Sequence, residues 1–229
     1  TTSLTLSGQD GGTTLQWQWS PDNTNWYNLS SLTTSSETSP YISRSTEYFR
    51  TAVTNSCVSL STAVVVTSSA AASCNFWEGT VSTAAMTASN WSLASVPAST
   101  STDLLIVKGT AYTCTFPTGT DNLDGNNYYI QENATLDNLD DNLTGAIWIS
   151  GNLVCNGTIS YSTTGQSYVV MLGTTKTITA GGSANMSAIR LQIGLTGYTA
   201  STTLASNIAI HECLVYTSGT LNVSTYILQ

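Results

Sequence analysis

From Asp103 onward the chain keeps returning to one small unit, a short apolar strand followed by a Gly/Asn corner. The stretch Gly145-Ala146-Ile147-Trp148-Ile149-Ser150-Gly151-Asn152-Leu153-Val154-Cys155-Asn156-Gly157-Thr158-Ile159 shows it twice in succession. Ser218-Gly219-Thr220-Leu221-Asn222-Val223 shows it again near the end. Strands this short cannot bury a face alone and have to stack on equivalent neighbours. The pattern therefore predicts a β-solenoid, a coil of parallel strands with a shared core. Apolar strands are expected around 105–107, 128–130, 147–149, 169–172, 189–193, 208–210 and 221–223, a step of roughly 20 residues, plausible for one coil. Roughly six coils at about 4.8 Å each would make a body about 30 Å long.

Composition narrows what such a coil does. Charged residues are 8 % of the chain, against about 25 % in an average soluble protein. About a third of the residues are Ser or Thr, which fits hydroxyls on the solvent side of strands and turns. The net charge is −8, with only 5 Lys and Arg. No cationic stripe is available to displace counterions from phosphate, which argues against nucleic acid and against an anionic membrane surface. The longest apolar runs, such as Ala63-Val64-Val65-Val66 and Leu104-Leu105-Ile106-Val107, have strand length, whereas a membrane helix needs about 20 apolar residues. No membrane insertion is expected. Little Lys, much Thr, Ser, Asn and Gly, and almost no helix-forming sequence point to an extracellular or outer-surface location.

Five cysteines, Cys57, Cys74, Cys114, Cys155 and Cys213, are widely spaced with no Cys-x-x-Cys, so zinc is not expected. Two readings stay open: small buried apolar residues, or one or two disulfides.

Residues 1–68 read differently from the rest. Leu15-Gln16-Trp17-Gln18-Trp19 alternates, placing Leu15, Trp17 and Trp19 on one face. A turn cluster over 20–25 follows, then a strand from Trp26, and Glu47-Tyr48-Phe49-Arg50-Thr51-Ala52-Val53-Thr54 forms another strand. Short strands with an early central Trp predict an immunoglobulin-like β-sandwich, although the usual intersheet cysteine pair is missing. Residues 69–75 are expected as a linker, and 76–229 as the parallel β-helix with an N-terminal capping segment over 76–102. The fold class expected for the whole chain is all-β.

The run Leu15-Gln16-Trp17-Gln18-Trp19-Ser20-Pro21-Asp22-Asn23-Thr24-Asn25-Trp26 and the later Ser45-Thr46-Glu47-Tyr48-Phe49-Arg50-Thr51-Ala52-Val53-Thr54-Asn55-Ser56-Cys57 resemble the Ig-like repeats of large surface adhesins exported by the type IX secretion system of gliding and related bacteria. Downstream, Trp77-Glu78-Gly79, Asn90-Trp91-Ser92, Val96-Pro97 and Asp103 before an apolar strand resemble, in order, the start of a β-helix module of the same adhesins. That family often carries another Trp where this chain reads Ala84-Ala85-Met86. The resemblance implies a segment of a larger modular adhesin.

Candidate chemistry is sparse. His211-Glu212 is the single histidine site, and no Gly-x-Ser-x-Gly elbow accompanies it. Asp140-Asp141 is an acid pair of the kind some β-helix hydrolases use, but it sits in a corner sequence between strands. The scattered Lys108, Lys176 and Arg190 do not suggest a lyase. No catalytic residue and no cofactor are expected. Asp121 and Asp124, in Asp121-Asn122-Leu123-Asp124-Gly125-Asn126-Asn127, resemble a calcium loop only faintly, because the distal Glu is missing. Trp148, alternating against Ile147 and Ile149, is the aromatic residue expected to point outward as a ligand platform.

The expected function is a non-enzymatic secreted or cell-surface adhesive and structural segment, whose partners are surface polysaccharide or other cell-surface proteins. The alternatives are a carbohydrate-binding or polysaccharide-degrading β-helix protein, or a subunit of an extracellular filament. Tyr226-Ile227-Leu228-Gln229 is apolar and strand-like, which predicts that further polypeptide or another copy covers that end. Trp77 and Trp91 are expected to plug the other end.

Overall fold

The computed structural model describes residues 3–7, 14–20, 23–29, 32–38, 46–54, 58–67, 74–97, 103–106, 113–116, 123–138, 146–161, 167–181 and 184–229. Cys57, Lys108, Asp121, Asp140 and Asp141 lie outside them. The described residues contain strands and a single 3-10 turn, Ala88–Asn90, and no α-helix. Two units emerge, Thr1–Ala71 and Ala72–Gln229.

In the first unit every pairing is antiparallel. Thr14–Ser20 pairs Tyr27–Asn28 on one side and Thr46–Thr54 on the other, and Thr46–Thr54 also pairs Val58–Leu60 and Val64–Thr67. A second sheet joins Ser3–Thr5 to Ser36–Thr38. Leu15, Trp17 and Trp19 are buried while Gln16 and Gln18 are half-buried, the period-2 alternation the sequence predicts. Leu4, Trp17, Trp19, Leu29 and Phe49 form one core. Trp17 donates its Nε1 proton to the Thr34 carbonyl at 2.9 Å, so its polar edge is satisfied as the ring is buried.

The second unit is a β-solenoid, all of whose named strands pair in parallel. Among the described residues its strands form three faces. The first face stacks Cys74–Phe76, Asp103–Ile106, Tyr128–Ile130, Leu153–Cys155, Gly173–Ala180, Ala200–Leu204 and Gly219–Asn222. The second stacks Leu123–Gly125, Ile147–Ile149, Ser167–Met171, Ile189–Ile193 and Glu212–Val215, and the third stacks Cys114–Phe116, Thr135–Asn138 and Thr158–Ser160. Cys74–Phe76 is thus already a strand of the solenoid, although the sequence places residues 74 and 75 in the linker. It pairs with Asp103–Ile106 and gives that strand a partner.

The seven strands of the first face make six steps, in line with the roughly six coils expected, but the apolar runs counted in the sequence lie on different faces. Tyr128–Ile130 belongs to the first face and Ile147–Ile149 to the second. The true coil is longer: side-chain bonds between equivalent positions of successive coils join residues 24, 25 and 22 apart.

Inward rows run through the stack. Leu123, Ile147, Val169, Leu191 and Cys213 are register neighbours, as are Gly125, Ile149, Met171, Ile193 and Val215. Most are fully buried, and each buried Leu, Ile, Val or Met contributes about 1.5–3 kcal/mol by leaving water. Cys114 and Cys155 are buried free thiols on this core. The Asn-rich corners also have a structural role. Asp103 Oδ1 accepts from the Asn127 backbone and side-chain amides, Asn127 Oδ1 accepts from the Asn152 N–H, and Asn152 Oδ1 accepts from the Thr177 N–H and hydroxyl, all at 2.8–3.1 Å. This ladder satisfies polar groups at a tight corner and pins the register of each coil on the last.

Residues 77–97 follow the first strand of the first face. Trp77 and Trp91 are buried against each other, edge to face at 5.3 Å between ring centroids, and belong to the solenoid core. Trp91 donates Nε1–H to the Ala85 carbonyl at 2.6 Å. Buried Asn90 is fully engaged: its Oδ1 accepts from the Val81 and Ser82 N–H groups, and its amide donates to Ser82 Oγ and the Ala84 carbonyl. The two tryptophans extend the apolar core, and Asn90 holds the loop beside them.

Candidate ligand-binding face

The second face turns one set of side chains into the core and the other outward. The outward set makes a row of register neighbours, Asp124, Trp148, Val170, Gln192 and Leu214, with a shorter row beside it, Tyr168, Arg190 and Glu212. Outward residues of a solenoid normally face water, yet Val170 and Gln192 are almost completely buried. Val170 packs with Ala146 and Leu172, and Trp148, Tyr168 and Leu195 pack around them. Tyr198, whose turn closes with a hydrogen bond from its N–H to the Leu195 carbonyl, meets Trp148 edge to face at 6.4 Å and remains half exposed. The face therefore carries a small apolar floor of its own, with aromatic rings at its rim.

Polar groups converge next to this floor. Arg190 Nε lies 2.8 Å from Glu212 Oε2, and an Arg190 Nη1 proton goes to the Tyr168 hydroxyl at 2.8 Å, with the guanidinium 5.4 Å from the Tyr168 ring centroid. Gln192 donates Nε2–H to the Gly194 carbonyl at 3.0 Å. That bond fixes the orientation of the amide, since the reverse one would set two oxygens against each other. Gln192 Oε1 is then an enclosed acceptor without a partner among the described residues, as are Trp148 Nε1, a donor, and Asp124 Oδ1, an acceptor. Burial raises the Asp124 carboxyl above its usual range. Tyr168, Arg190, Gln192, Glu212 and Leu214 bound a pocket of about 90 Å³.

Magnitudes show where this face is strained and where it yields. A buried carbonyl left unpaired costs about 1–3 kcal/mol. The Arg190–Glu212 pair is exposed by 35 % and 53 % at its two side chains, and a surface pair of that kind is worth only about 0–1 kcal/mol. The polar floor is fixed, and the charged wall over it is cheap to displace.

Trp148, singled out from sequence, stands on this face. Asp124 is its register neighbour in the adjacent strand, and among the described residues no group of three His, Cys, Asp or Glu is placed to hold a metal. His211 is exposed and Glu212 is committed to Arg190. Sequence reasoning missed Tyr168, Gln192, Tyr198 and the pairing of Arg190 with Glu212. Their signal was the coil length: Tyr168 and Arg190 are 22 residues apart, a period that emerges only once the strands are assigned to faces. Among the described residues no helix is long and apolar enough to cross a membrane.

A family model described as a domain of unknown function (DUF8696) matches residues 1–70, the extent of the first unit. No curated protein and no solved structure matches the chain.

Proposed function

We propose that this chain is a non-enzymatic, secreted or cell-surface segment of a larger modular adhesin. In this reading its solenoid holds the Trp148 face as a rigid binding surface for surface polysaccharide, and residues 1–68 form an Ig-like sandwich in series with it. Export by a type IX route belongs to the same reading and is supported by the sequence landmarks around Trp17, Trp77 and Trp91. The observation that carries the proposal is the outward row of the second face, where aromatic rings border a buried floor and polar atoms without partners. Ligand sites have this composition: an apolar and aromatic lining with a few placed polar groups. A solenoid supplies it with rigidity and with repeats that allow multivalent attachment.

The test is retention of the labelled chain on cell surfaces and on insoluble polysaccharides. Wild type is expected to be retained, and Tyr198→Ala and Trp148→Ala to reduce retention by about tenfold, the loss of roughly 1.4 kcal/mol of contact. Tyr198 is half exposed, so its truncation leaves the fold intact. Equal retention of both variants and wild type refutes the assignment of the face. Turnover of any polysaccharide, abolished by Asp141→Asn, refutes the non-enzymatic reading.

A further inference from the structure

We propose that the second face holds two subsites which together take a neutral, hydroxyl-rich oligosaccharide of at least two sugar units, lying along the stacking direction of the coils. The inference deepens the adhesive reading and rests on it. The first subsite is the Trp148–Tyr198 pair, at 6.4 Å and nearly perpendicular, beside the buried Ala146, Val170 and Leu172. Ring faces of this kind carry negative charge density and receive the C–H face of a pyranose without any need for ligand charge. The second is the pocket of about 90 Å³ at Gln192. At about 30 Å³ per water molecule, it has room for a hydroxymethyl group or the edge of a ring, not for a whole substituted pyranose.

Register sets the minimum length. Trp148 pairs with Val170, and Val170 pairs with Gln192, so the two anchor points are two interstrand steps apart, about 10 Å. One ring does not bridge that distance.

Polarity sets the class. Gln192 uses one N–H on Gly194 and leaves its enclosed oxygen without a partner. Glu212 brings a second acceptor to the same pocket. The acceptor left unpaired in the pocket therefore asks its ligand for a donor. Arg190 already neutralises Glu212, so an ammonium group gains little there, and a net charge of −8 disfavours a polyanion. A ligand hydroxyl group donates to Gln192 Oε1. Gln192 Oε1 is enclosed, and a ligand reaches it when the half-exposed Arg190–Glu212 pair swings aside. Gln192 is thus the residue that selects for a hydroxyl donor.

The experiment is calorimetric titration of the full chain with cello-, manno- and xylo-oligosaccharides of one to four units and with an oligogalacturonate. At least one neutral series is expected to bind, with affinity rising about tenfold or more from one unit to two, and the oligogalacturonate to bind more weakly. Gln192→Met keeps the side-chain volume and removes the unpaired acceptor. It also removes the bond to the Gly194 carbonyl, so it is expected to melt somewhat lower but cooperatively, and to lose about tenfold in affinity at a temperature where its near-UV circular dichroism matches wild type, which separates lost recognition from lost folding. If Tyr198→Ala abolishes sugar binding and Gln192→Met leaves it unchanged, the Gln192 subsite is refuted and the adhesive face stands. Tightest binding to the oligogalacturonate, equal binding of one unit and two, or retention on cells with no oligosaccharide bound each overturn the two-subsite inference alone. Binding to neither cells nor sugars overturns both readings.

Discussion

Gly157→Ala tests how the coils are held in register. Gly157 is buried in the corner after Leu153–Cys155. A Cβ added there would run into the Gln131 and Ala134 carbonyl oxygens of the preceding coil and would stand 3.1 Å from Ile130 Cγ2. Neither carbonyl is the end of a flexible side chain, so the corner itself has to lift. Lifting it strains two bonds that tie the coils together, from Asn156 N–H to the Ile130 carbonyl at 2.8 Å and from Thr158 N–H to the Ala134 carbonyl at 3.0 Å. Overpacking of this kind costs about 1–3 kcal/mol, and one weakened hydrogen bond adds about 1 kcal/mol. The sum, about 2–4 kcal/mol, lowers Tm by roughly 5–15 °C for a domain of this size. Gly197→Ala is the control. Gly197 sits at φ +85° with nothing within 4 Å of its added Cβ, so its substitution meets only the left-handed backbone penalty of about 1–2 kcal/mol. Thermal melts of both variants followed by near-UV circular dichroism decide the matter. If Gly157→Ala melts within about 2 °C of wild type, or above Gly197→Ala, the close approach of backbones at the corners does not set the stacking.

Three further outcomes follow from other parts of the solenoid. Trp91→Ala removes half of the edge-to-face pair and the bond to Ala85; it should cost about 3–5 kcal/mol and expose Tyr128–Ile130 to faster hydrogen exchange than Ala200–Leu204, and equal protection of the two strands would contradict its place in the core. Burial raises the folded-state pKa of Asp124, so its contribution is fully present below the unfolded carboxylate pKa, about 3.9, and is lost as pH rises through the folded pKa. Asp124→Asn should therefore raise Tm at neutral pH and leave it unchanged well below that range, and a lower Tm at neutral pH would refute the sign. Burial also pushes the Cys114 and Cys155 thiols up, Cys155 to about 12, and the thiolate is the reactive form; alkylation read by mass spectrometry should reach half-buried Cys213 before either of them, and the reverse order would contradict the packing.

The solenoid was legible because its signal is local. Ile147–Ile149 and Leu153–Cys155 each show two apolar residues around one half-buried residue, separated by a Gly/Asn corner, and any strand of that length has to stack. The face of each run and the length of the coil were not legible, because a run such as Tyr128–Ile130 looks the same whichever face it occupies, and only pairing assigns the face. The corner residues were identified, but one of their jobs was hidden. A glycine in sequence suggests a turn needing positive φ, and Gly197 is one. Gly157, by contrast, is needed because the next backbone passes too close for a Cβ, a fact that belongs to the stack and not to the turn.

The candidate site divides in the same way. Trp148 stood out because its neighbours Ile147 and Ile149 point inward, which is again a local signal. Tyr168, Arg190 and Glu212 carry no local signal, since their association exists only between coils. Gln192 was the least visible. A glutamine on an outward row is ordinarily a solvated residue, and what makes this one informative is the Gly194 carbonyl that holds its N–H and the burial that strands its oxygen. On a solenoid, functional residues are therefore better sought at the coil period than along the strand. Here that period, 22 residues between Tyr168 and Arg190, brings an aromatic ring, a guanidinium and a carboxylate side by side on one face.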